Sequence, residues 1–162
     1  MPSANAAPGA MLRQTWQRLS PLPGGKWLFS RILGRMVPYT ASIGATVTAL
    51  EPGFARVELR DRRRVRNHLD SIHAVALMNL GEVATGLAML VGLPATVRGI
   101  VTGLSITFLK KARGRLTAEC RCPIPTVTAD QTYDAEATIT DVAGDVVARA
   151  TAHWRLGPKP GA

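Results

Sequence analysis

The fold is decided by the stretch from His73 to Val91, which reads HAVALMNLGEVATGLAMLV. Its apolar residues fall on nearly every face of a helix, and Glu82 is its single charged residue. A soluble protein accepts such a helix only where other elements enclose most of its sides. Polar and helix-breaking positions such as Asn79 and Pro94 interrupt the apolar run over residues 72–97. We therefore expect a buried central helix and no membrane span.

Segments with a two-residue period lie on both sides of this helix. A hairpin is predicted over residues 43–59, with its turn at 51–53, and four further strands are predicted after Pro94. Turns are expected at 110–114 and 141–145. The four inward-facing sets are Ile100, Leu104, Ile106 and Phe108; Leu116, Ala118, Cys120 and Cys122; Tyr133, Ala135, Ala137 and Ile139; and Val146, Ala148, Ala150, Ala152 and Trp154. The sequence thus predicts an α+β fold in which an antiparallel sheet wraps around a long central helix.

The chain of 162 residues has the length of one domain. Residues 1–22 are predicted to be a disordered or helical N-terminal extension, disordered over 1–10 and with a short helix over 11–19. Residues 23–157 form the predicted domain, which begins with a second helix over 26–36. Residues 158–162 are predicted to be a disordered tail.

Positive charge is concentrated near the N-terminus. The net charge is +9, and residues 1–66 hold eleven Lys or Arg and three acidic residues. The basic stretch at 60–66 suits nucleic acid, a membrane surface or a phosphate-bearing ligand. Because it lacks interleaved aromatic residues and a DNA-binding motif, we expect no nucleic-acid partner.

Other signals bound the class of protein. Residues 1–20 contain no apolar signal-peptide core, so we expect a cytoplasmic protein. Cys120 and Cys122 are the two cysteines, and on one face of a strand they indicate core packing. We expect no metal site.

Polar residues gather where the central helix begins. Asn67, His68, Asp70 and His73 precede it, and its first N–H groups have no partners within the helix. Glu82 follows about two turns later. A carboxylate in an apolar helix is costly unless it is used or compensated, so this segment is the candidate site.

This segment resembles the hot-dog-fold acyl-CoA thioesterases related to the phenylacetate-pathway enzyme, including the uncharacterised branch known as domain of unknown function 4442. The family pattern is an Asn, a His-Gly-Gly six residues later, and an Asp or Glu nine residues after that His. Asn67, His73 and Glu82 match that spacing. The later strands also suit the family, so the resemblance spans roughly residues 40–156.

The resemblance implies a hot-dog fold, hydrolysis of acyl-CoA without a cofactor, and a homodimer or dimer of dimers with each active site at a subunit interface. It assigns Glu82 as general base or nucleophile, and the backbone N–H of Ala74 as the group that polarises the thioester carbonyl. It makes Asn67 a supporting polar residue. His73 joins this catalytic group, with a helix-capping role as the alternative.

A second set of residues is expected to bind substrate. Some relatives carry a water-orienting Thr or Ser four residues after the carboxylate, where this chain has Gly86, with Thr85 adjacent. The guanidinium groups of the basic stretch suit the phosphates of coenzyme A. The expected substrate-binding residues are His68, Arg63, Arg64, Arg66, Thr85 and Gly86.

Two other functions stay open on the sequence. Ala74 and Val75 stand where the family has two glycines, which favours a non-catalytic acyl-thioester-binding or regulatory protein. Hydroxyacyl-thioester dehydratases of the same fold place a His fourteen residues before a helix Glu, and His68 stands in that relation to Glu82.

Overall fold

The computed structural model describes residues 8–160. Four α-helices, six strands and one short 3-10 helix follow one another along this part of the chain. In chain order they are α1 (Pro8–Leu19), α2 (Gly25–Met36), α3 (Pro38–Ala41), β1 (Thr46–Glu51), β2 (Phe54–Leu59), the 3-10 helix (Arg63–Val65), α4 (Ala74–Leu90), β3 (Val97–Phe108), β4 (Leu116–Arg121), β5 (Gln131–Thr140) and β6 (Val146–Pro158).

The six strands form one sheet in the order β1-β2-β4-β5-β6-β3, and every neighbouring pair is antiparallel. The turns at 51–53 and 141–145 close hairpins, as predicted. The segment at 110–114 instead crosses from one edge of the sheet to its middle, because β3 pairs with β6 and not with β4. β1 and β3 are the two edge strands.

The helix α4 lies against the inner face of the sheet and packs on β2, β4, β5 and β6. Leu80, Ala84, Ala88 and Met89 are fully buried there. The predicted buried central helix is therefore confirmed. Within residues 8–160, no helix combines the length and apolar character that a membrane crossing requires.

Small side chains allow the sheet to approach this helix closely. The inner face carries Ala118, Ala135, Ala137 and Ala150, all fully buried. Gly81 of α4 faces Ala150, and a Cβ at Gly81 would overlap that methyl group. Close contact between helix and sheet thus depends on a glycine opposite an alanine.

The N-terminal helices complete the cover over the core. Trp16 of α1 meets Phe29 of α2 edge-to-face, with ring centroids 5.1 Å apart, and both side chains are buried. Ser30 fixes α2 to the sheet, because its Oγ accepts a hydrogen bond of 2.9 Å from the Val47 N–H. The N-terminal extension was predicted to be disordered or helical, and its described part contains the helix α1. The buried side chains of α1 belong to the same hydrophobic core as the sheet and α4.

Both predicted ends differ from the structure. Residues 8–10 were expected to be disordered, but they form the first turn of α1, where Gly9 lies against the backbone of Leu90. The first seven residues of that expectation lie outside the described part. At the other end β6 reaches Pro158, and the Lys159 N–H donates to the Thr96 carbonyl at 2.8 Å. Tertiary contacts therefore order residues 8–10 and 158–159, against their local composition, and residues 161–162 of the predicted tail lie outside the described part.

One predicted inward set is partly wrong. A bulge between Val101 and Gly103 shifts the register of β3 against β6, so Ile100 pairs with Arg155 on the outer face. Leu104 and Phe108 do lie opposite the inward-facing Ala152 and Ala148. They are nevertheless 47% and 50% exposed. The inner face of the edge strand β3 is therefore left largely uncovered.

We predict opposite effects on stability from two glycine substitutions in α4. Gly81→Ala should lower the free energy of unfolding by about 1–3 kcal/mol, because the new methyl group overpacks against Ala150. Gly86→Ala is the matched control: its Cβ would meet only a Glu82 oxygen, at 3.5 Å, and alanine favours the helix by about 0.5–1 kcal/mol. Urea unfolding of both variants measures the difference, and equal effects would contradict this account of the packing.

Candidate active site

The loop before α4 is held by its own backbone and by Asn67. The Asn67 Oδ1 accepts hydrogen bonds from the N–H groups of Leu69, at 2.9 Å, and Ser71, at 3.2 Å. The loop includes Asp70 at a φ of 53°. Its exit is fixed by a bond of 2.8 Å from the Ile72 N–H to the Ala112 carbonyl. Asn67 thus shapes the loop that positions the helix start.

His73 is the N-cap of α4. Its backbone is extended, and its Nδ1 accepts a hydrogen bond of 3.1 Å from the Val75 N–H. A ring nitrogen that accepts carries no proton, so the proton of the neutral ring is on Nε2. The capping alternative for His73 is therefore the one that the geometry favours.

Ala74 is the first residue of α4, and it is exposed. Within residues 8–160, its backbone N–H has no hydrogen-bond partner. A free N–H at a helix start carries part of the positive end of the helix dipole. An oxygen that develops negative charge is stabilised at such a position.

Glu82 lies half-buried on α4. Burial raises the pKa of its carboxyl group above the usual glutamate range. Its Oε1 stands 3.5 Å from the position that a Cβ on Gly86 would occupy, and no side chain in the described part of the molecule hydrogen-bonds to the carboxylate. The carboxylate is thus partly desolvated, has no side-chain partner in the described residues, and lies beside Gly86.

The two predicted residues after Glu82 have different surroundings. Gly86 lies beside the Glu82 carboxylate, as described. Thr85 is fully buried, and its hydroxyl donates to the Glu82 carbonyl of the same helix at 3.0 Å. This placement gives Thr85 a structural partner and does not support its predicted contact with substrate.

The remaining predicted residues lie on the exposed side of the loop. His68 and Arg63 are exposed. Arg64 donates to the Ser42 carbonyl, and the Arg66 Nε is 2.6 Å from the Asp61 Oδ1. The Arg66 guanidinium holds the pKa of Asp61 below its usual range. Two of the three arginines thus already help to hold the loop in place.

Asn79 is a residue that the sequence reasoning did not select. Its side-chain amide donates to the Tyr39 carbonyl at 3.3 Å and thereby ties α3 to the central helix. It is buried, one turn before Glu82. The sequence did contain a sign of this role. Asn79 lies three positions before Glu82, and that spacing puts both side chains on one face of the helix.

A Ser-His-Asp chain also exists on the outer face of the sheet. The Ser105 Oγ is 3.1 Å from the His153 Nε2, and the His153 Nδ1 is 2.8 Å from the Asp134 Oδ1. All three residues are partly or largely exposed, and they come from the neighbouring strands β3, β6 and β5. The nucleophile–base pair of a hydrolase usually has a buried acid and a pocket, so we interpret this chain as cross-strand pairing.

Comparison with known proteins identifies the family to which the chain belongs. A family model described as a domain of unknown function, DUF4442, matches residues 25–156. No curated protein matches the sequence.

The chain is similar to many solved structures, among them the following three. One, named as genomics APC5556, is 29% identical over 93% of this chain and 100% of its own, with a TM-score of 0.80. PA5026 from Pseudomonas aeruginosa, described as a protein of unknown function and probable thioesterase, is 25% identical over 85% of this chain and 97% of its own, with a TM-score of 0.72. A thioesterase family protein from Silicibacter pomeroyi is 21% identical over 80% of this chain and 96% of its own, with a TM-score of 0.66. The predicted α+β hot-dog fold is thereby confirmed.

The burial of Glu82 predicts a pH-dependent cost in stability. Because its folded pKa lies above the unfolded one, the folded chain holds more protons between the two values, and the free energy of unfolding falls as pH rises through that window. Glu82→Gln has no carboxyl group to ionise, so the variant does not lose this stability as the pH rises. The variant should be more stable than the parent protein at about pH 7, and the difference should shrink below about pH 4.

Urea unfolding across that pH range measures the effect, with the exposed Glu136→Gln as the control. A Glu82→Gln difference that is the same at every pH would refute this interpretation.

Proposed function

The chain belongs to the DUF4442 family, and on that premise we propose that it hydrolyses an acyl-CoA thioester to the free acid and coenzyme A. The observation that carries the proposal is the half-buried Glu82 carboxylate on the central helix, which has a raised pKa and no side-chain partner in the described residues. Similar structures whose names describe thioesterases support the reaction class.

Glu82 acts as the base in this proposal. Its carboxylate takes a proton from water, whose oxygen attacks the thioester carbonyl, and coenzyme A leaves as the thiolate. The raised pKa makes Glu82 a stronger base than an exposed glutamate. Direct attack by the carboxylate, which forms an anhydride that water then cleaves, is the nucleophilic variant of the same role.

The Ala74 N–H stabilises the oxyanion of the tetrahedral intermediate. Asn67 and His73 act indirectly in this proposal. Asn67 holds the preceding loop, and His73 caps the helix, so both keep the Ala74 N–H in position. Such fixed donors are effective because they need no reorganisation as charge develops.

A second copy of the chain completes the proposed site. Eight residues separate Ala74 from Glu82, which is about 12 Å along a helix axis. A base and an oxyanion donor that act on one carbonyl each lie within about 3 Å of a reacting atom. A two-fold related copy supplies the partner's Glu82 opposite the first copy's Ala74. The active unit is then a homodimer, or a dimer of dimers.

The edge strand β3 supports this assembly. Within the described chain its outer edge has no strand partner, and the exposed Leu104 and Phe108 lie beside it on the inner face. An unpaired edge with apolar side chains favours pairing with another strand. A second copy would extend the sheet and cover both side chains.

The basic loop contributes to substrate binding in the proposal. Arg63, Arg64 and Arg66 attract the phosphates of coenzyme A, and His68 lies exposed in the same loop. Arg63 has the least constrained side chain of the three, because Arg64 and Arg66 also bond within the protein.

One observation favours a non-catalytic alternative. Ala74 and Val75 add side chains at the helix start, and Val75 is 53% exposed there. These side chains narrow the approach to the Ala74 N–H that two glycines would leave open. A protein that binds acyl thioesters without hydrolysing them would share this geometry.

We expect Glu82→Gln to keep the fold and lower kcat for acyl-CoA hydrolysis by about 100-fold or more, because it removes the base. A panel of acyl-CoA substrates, followed by thiol release, provides the measurement. Glu136→Gln, the same change on the outer face, should leave kcat unchanged, as should Ser105→Ala. Full activity in Glu82→Gln excludes the mechanism, and no hydrolysis by the parent protein favours the binding alternative.

Light scattering should show a dimer or a tetramer. Leu104→Asp puts a charge on the uncovered inner face and should give a folded monomer without activity, since burial of an unpaired charge is costly. Ile100→Asp, in the same strand but on the outer face, is the matched control and should still assemble. A parent protein that is a fully active monomer would contradict the two-copy site.

A further inference from the structure

A groove with a volume of about 420 Å³ lies between the N-terminal helices and the start of the sheet. Its walls come from α2, α3, the segment that leads into β1 and the segment that follows β2. Five arginines line it: Arg31, Arg35, Arg60, Arg62 and Arg64. No acidic residue is among its lining residues, so the groove carries a concentrated positive charge.

Two of these arginines are fixed in place by the backbone. The Arg62 guanidinium donates to the Gly44 carbonyl at 2.8 Å and to the Ile43 carbonyl at 3.2 Å. Arg64 donates to the Ser42 carbonyl. These bonds neutralise no charge, because carbonyl oxygens are not anions. The loop before β1 therefore holds two guanidinium groups together at the groove.

The groove also contains unused donors. The Arg62 Nε is buried and has no hydrogen-bond partner in the described residues. Over the same residues, no carboxylate forms an ion pair with Arg31, Arg35 or Arg60. A buried donor without an acceptor and several like charges both cost free energy. An anion with several oxygens, bound by the accessible guanidinium groups, relieves the repulsion between the like charges.

An exposed tryptophan lies at the same groove. Trp27 lines it with 61% of its surface exposed, and the Arg31 guanidinium carbon is 5.7 Å from the Trp27 ring centroid. The other two tryptophans, Trp16 and Trp154, are buried in the core. An exposed indole beside guanidinium groups suits a flat aromatic base attached to phosphates.

We propose that this arginine groove is a binding site for a nucleotide with two or more phosphate groups. The guanidinium groups bind the phosphate oxygens through paired N–H donors, and Trp27 stacks on the base. The inference goes beyond the thioester hydrolysis proposed above and requires no turnover. Where that function also holds, the nucleotide end of coenzyme A occupies this groove, and of the three loop arginines named for its phosphates only Arg64 lines it.

The groove also continues toward the central helix. A small cavity of about 20 Å³ shares four lining residues with it and reaches Val57 of β2 and Val83 of α4. Val83 is adjacent in sequence to Glu82. The groove and the central helix are thus neighbours, separated by a cavity about the size of one water molecule.

Titration calorimetry with free coenzyme A and with ADP is the direct test, and inorganic pyrophosphate serves as the probe without a base. The double variant Arg31→Gln/Arg35→Gln should bind both nucleotides at least about tenfold more weakly. The matched control Arg13→Gln/Arg18→Gln removes two charges from exposed positions on α1 and should stay within about twofold. Trp27→Leu should weaken nucleotide binding but leave pyrophosphate binding unchanged. Circular dichroism and the urea midpoint verify that each variant is folded.

Three outcomes would overturn the proposal. The first is the absence of nucleotide binding by the parent protein, and the second is equal weakening in both double variants. The third is binding of the parent protein to vesicles that contain phosphatidylserine but not to nucleotides. If Arg31→Gln/Arg35→Gln abolishes that vesicle binding, the groove binds lipid headgroups instead. Binding of ADP and of free coenzyme A involves no thioester, so failure of the hydrolysis mechanism and failure of the groove proposal are distinguishable.

Discussion

The burial of α4 is the constraint on which the rest of the structure depends. A helix with apolar residues on nearly every face needs cover on nearly every side, and a flat sheet covers only one. The sheet therefore wraps around it, with small side chains on the inner face and Gly81 at the closest approach. The alanines of β4, β5 and β6 follow from the same need, since larger residues would hold the sheet away from the helix.

The cover is completed on one side and left open on the other. The helices α1 and α2 bring Trp16 and Phe29 over the core, and α3 is tied to the central helix through Asn79. Toward β3 the helix makes few contacts, and Leu104 and Phe108 are left exposed. The proposed second copy would cover the inner face of β3, which this chain leaves exposed.

Much of the fold was predictable because it follows from local patterns. The central helix, the alternating strands and the two hairpin turns have periodicities and turn residues that read directly from the chain. The bulge in β3 was not predictable, because Thr102 has no feature that distinguishes it from a regular strand residue. For the candidate site, the spacing of Asn67, His73 and Glu82 selected the segment in which the structure has the loop, the helix start and the half-buried carboxylate. It did not reveal that Thr85 faces inward, or that Arg64 and Arg66 are held by Ser42 and Asp61.

The positive charge near the N-terminus of the sequence becomes concentrated in the arginine groove when the chain folds. The excess of basic residues lies before residue 67, but their spacing gives no sign that they meet. They meet because Ser30 ties α2 to β1, and β1 pairs with β2, whose end leads into the segment that bears Arg60, Arg62 and Arg64. Arg31 and Arg35 therefore face arginines about thirty residues away in sequence. Folding concentrates like charges here despite their mutual repulsion, whereas Arg56, Arg149 and Arg155 on the sheet each pair with a carboxylate. What distinguishes the five groove arginines is that folding brings them to one concave surface with no carboxylate in its lining, and a bound anion would offset the repulsion between them.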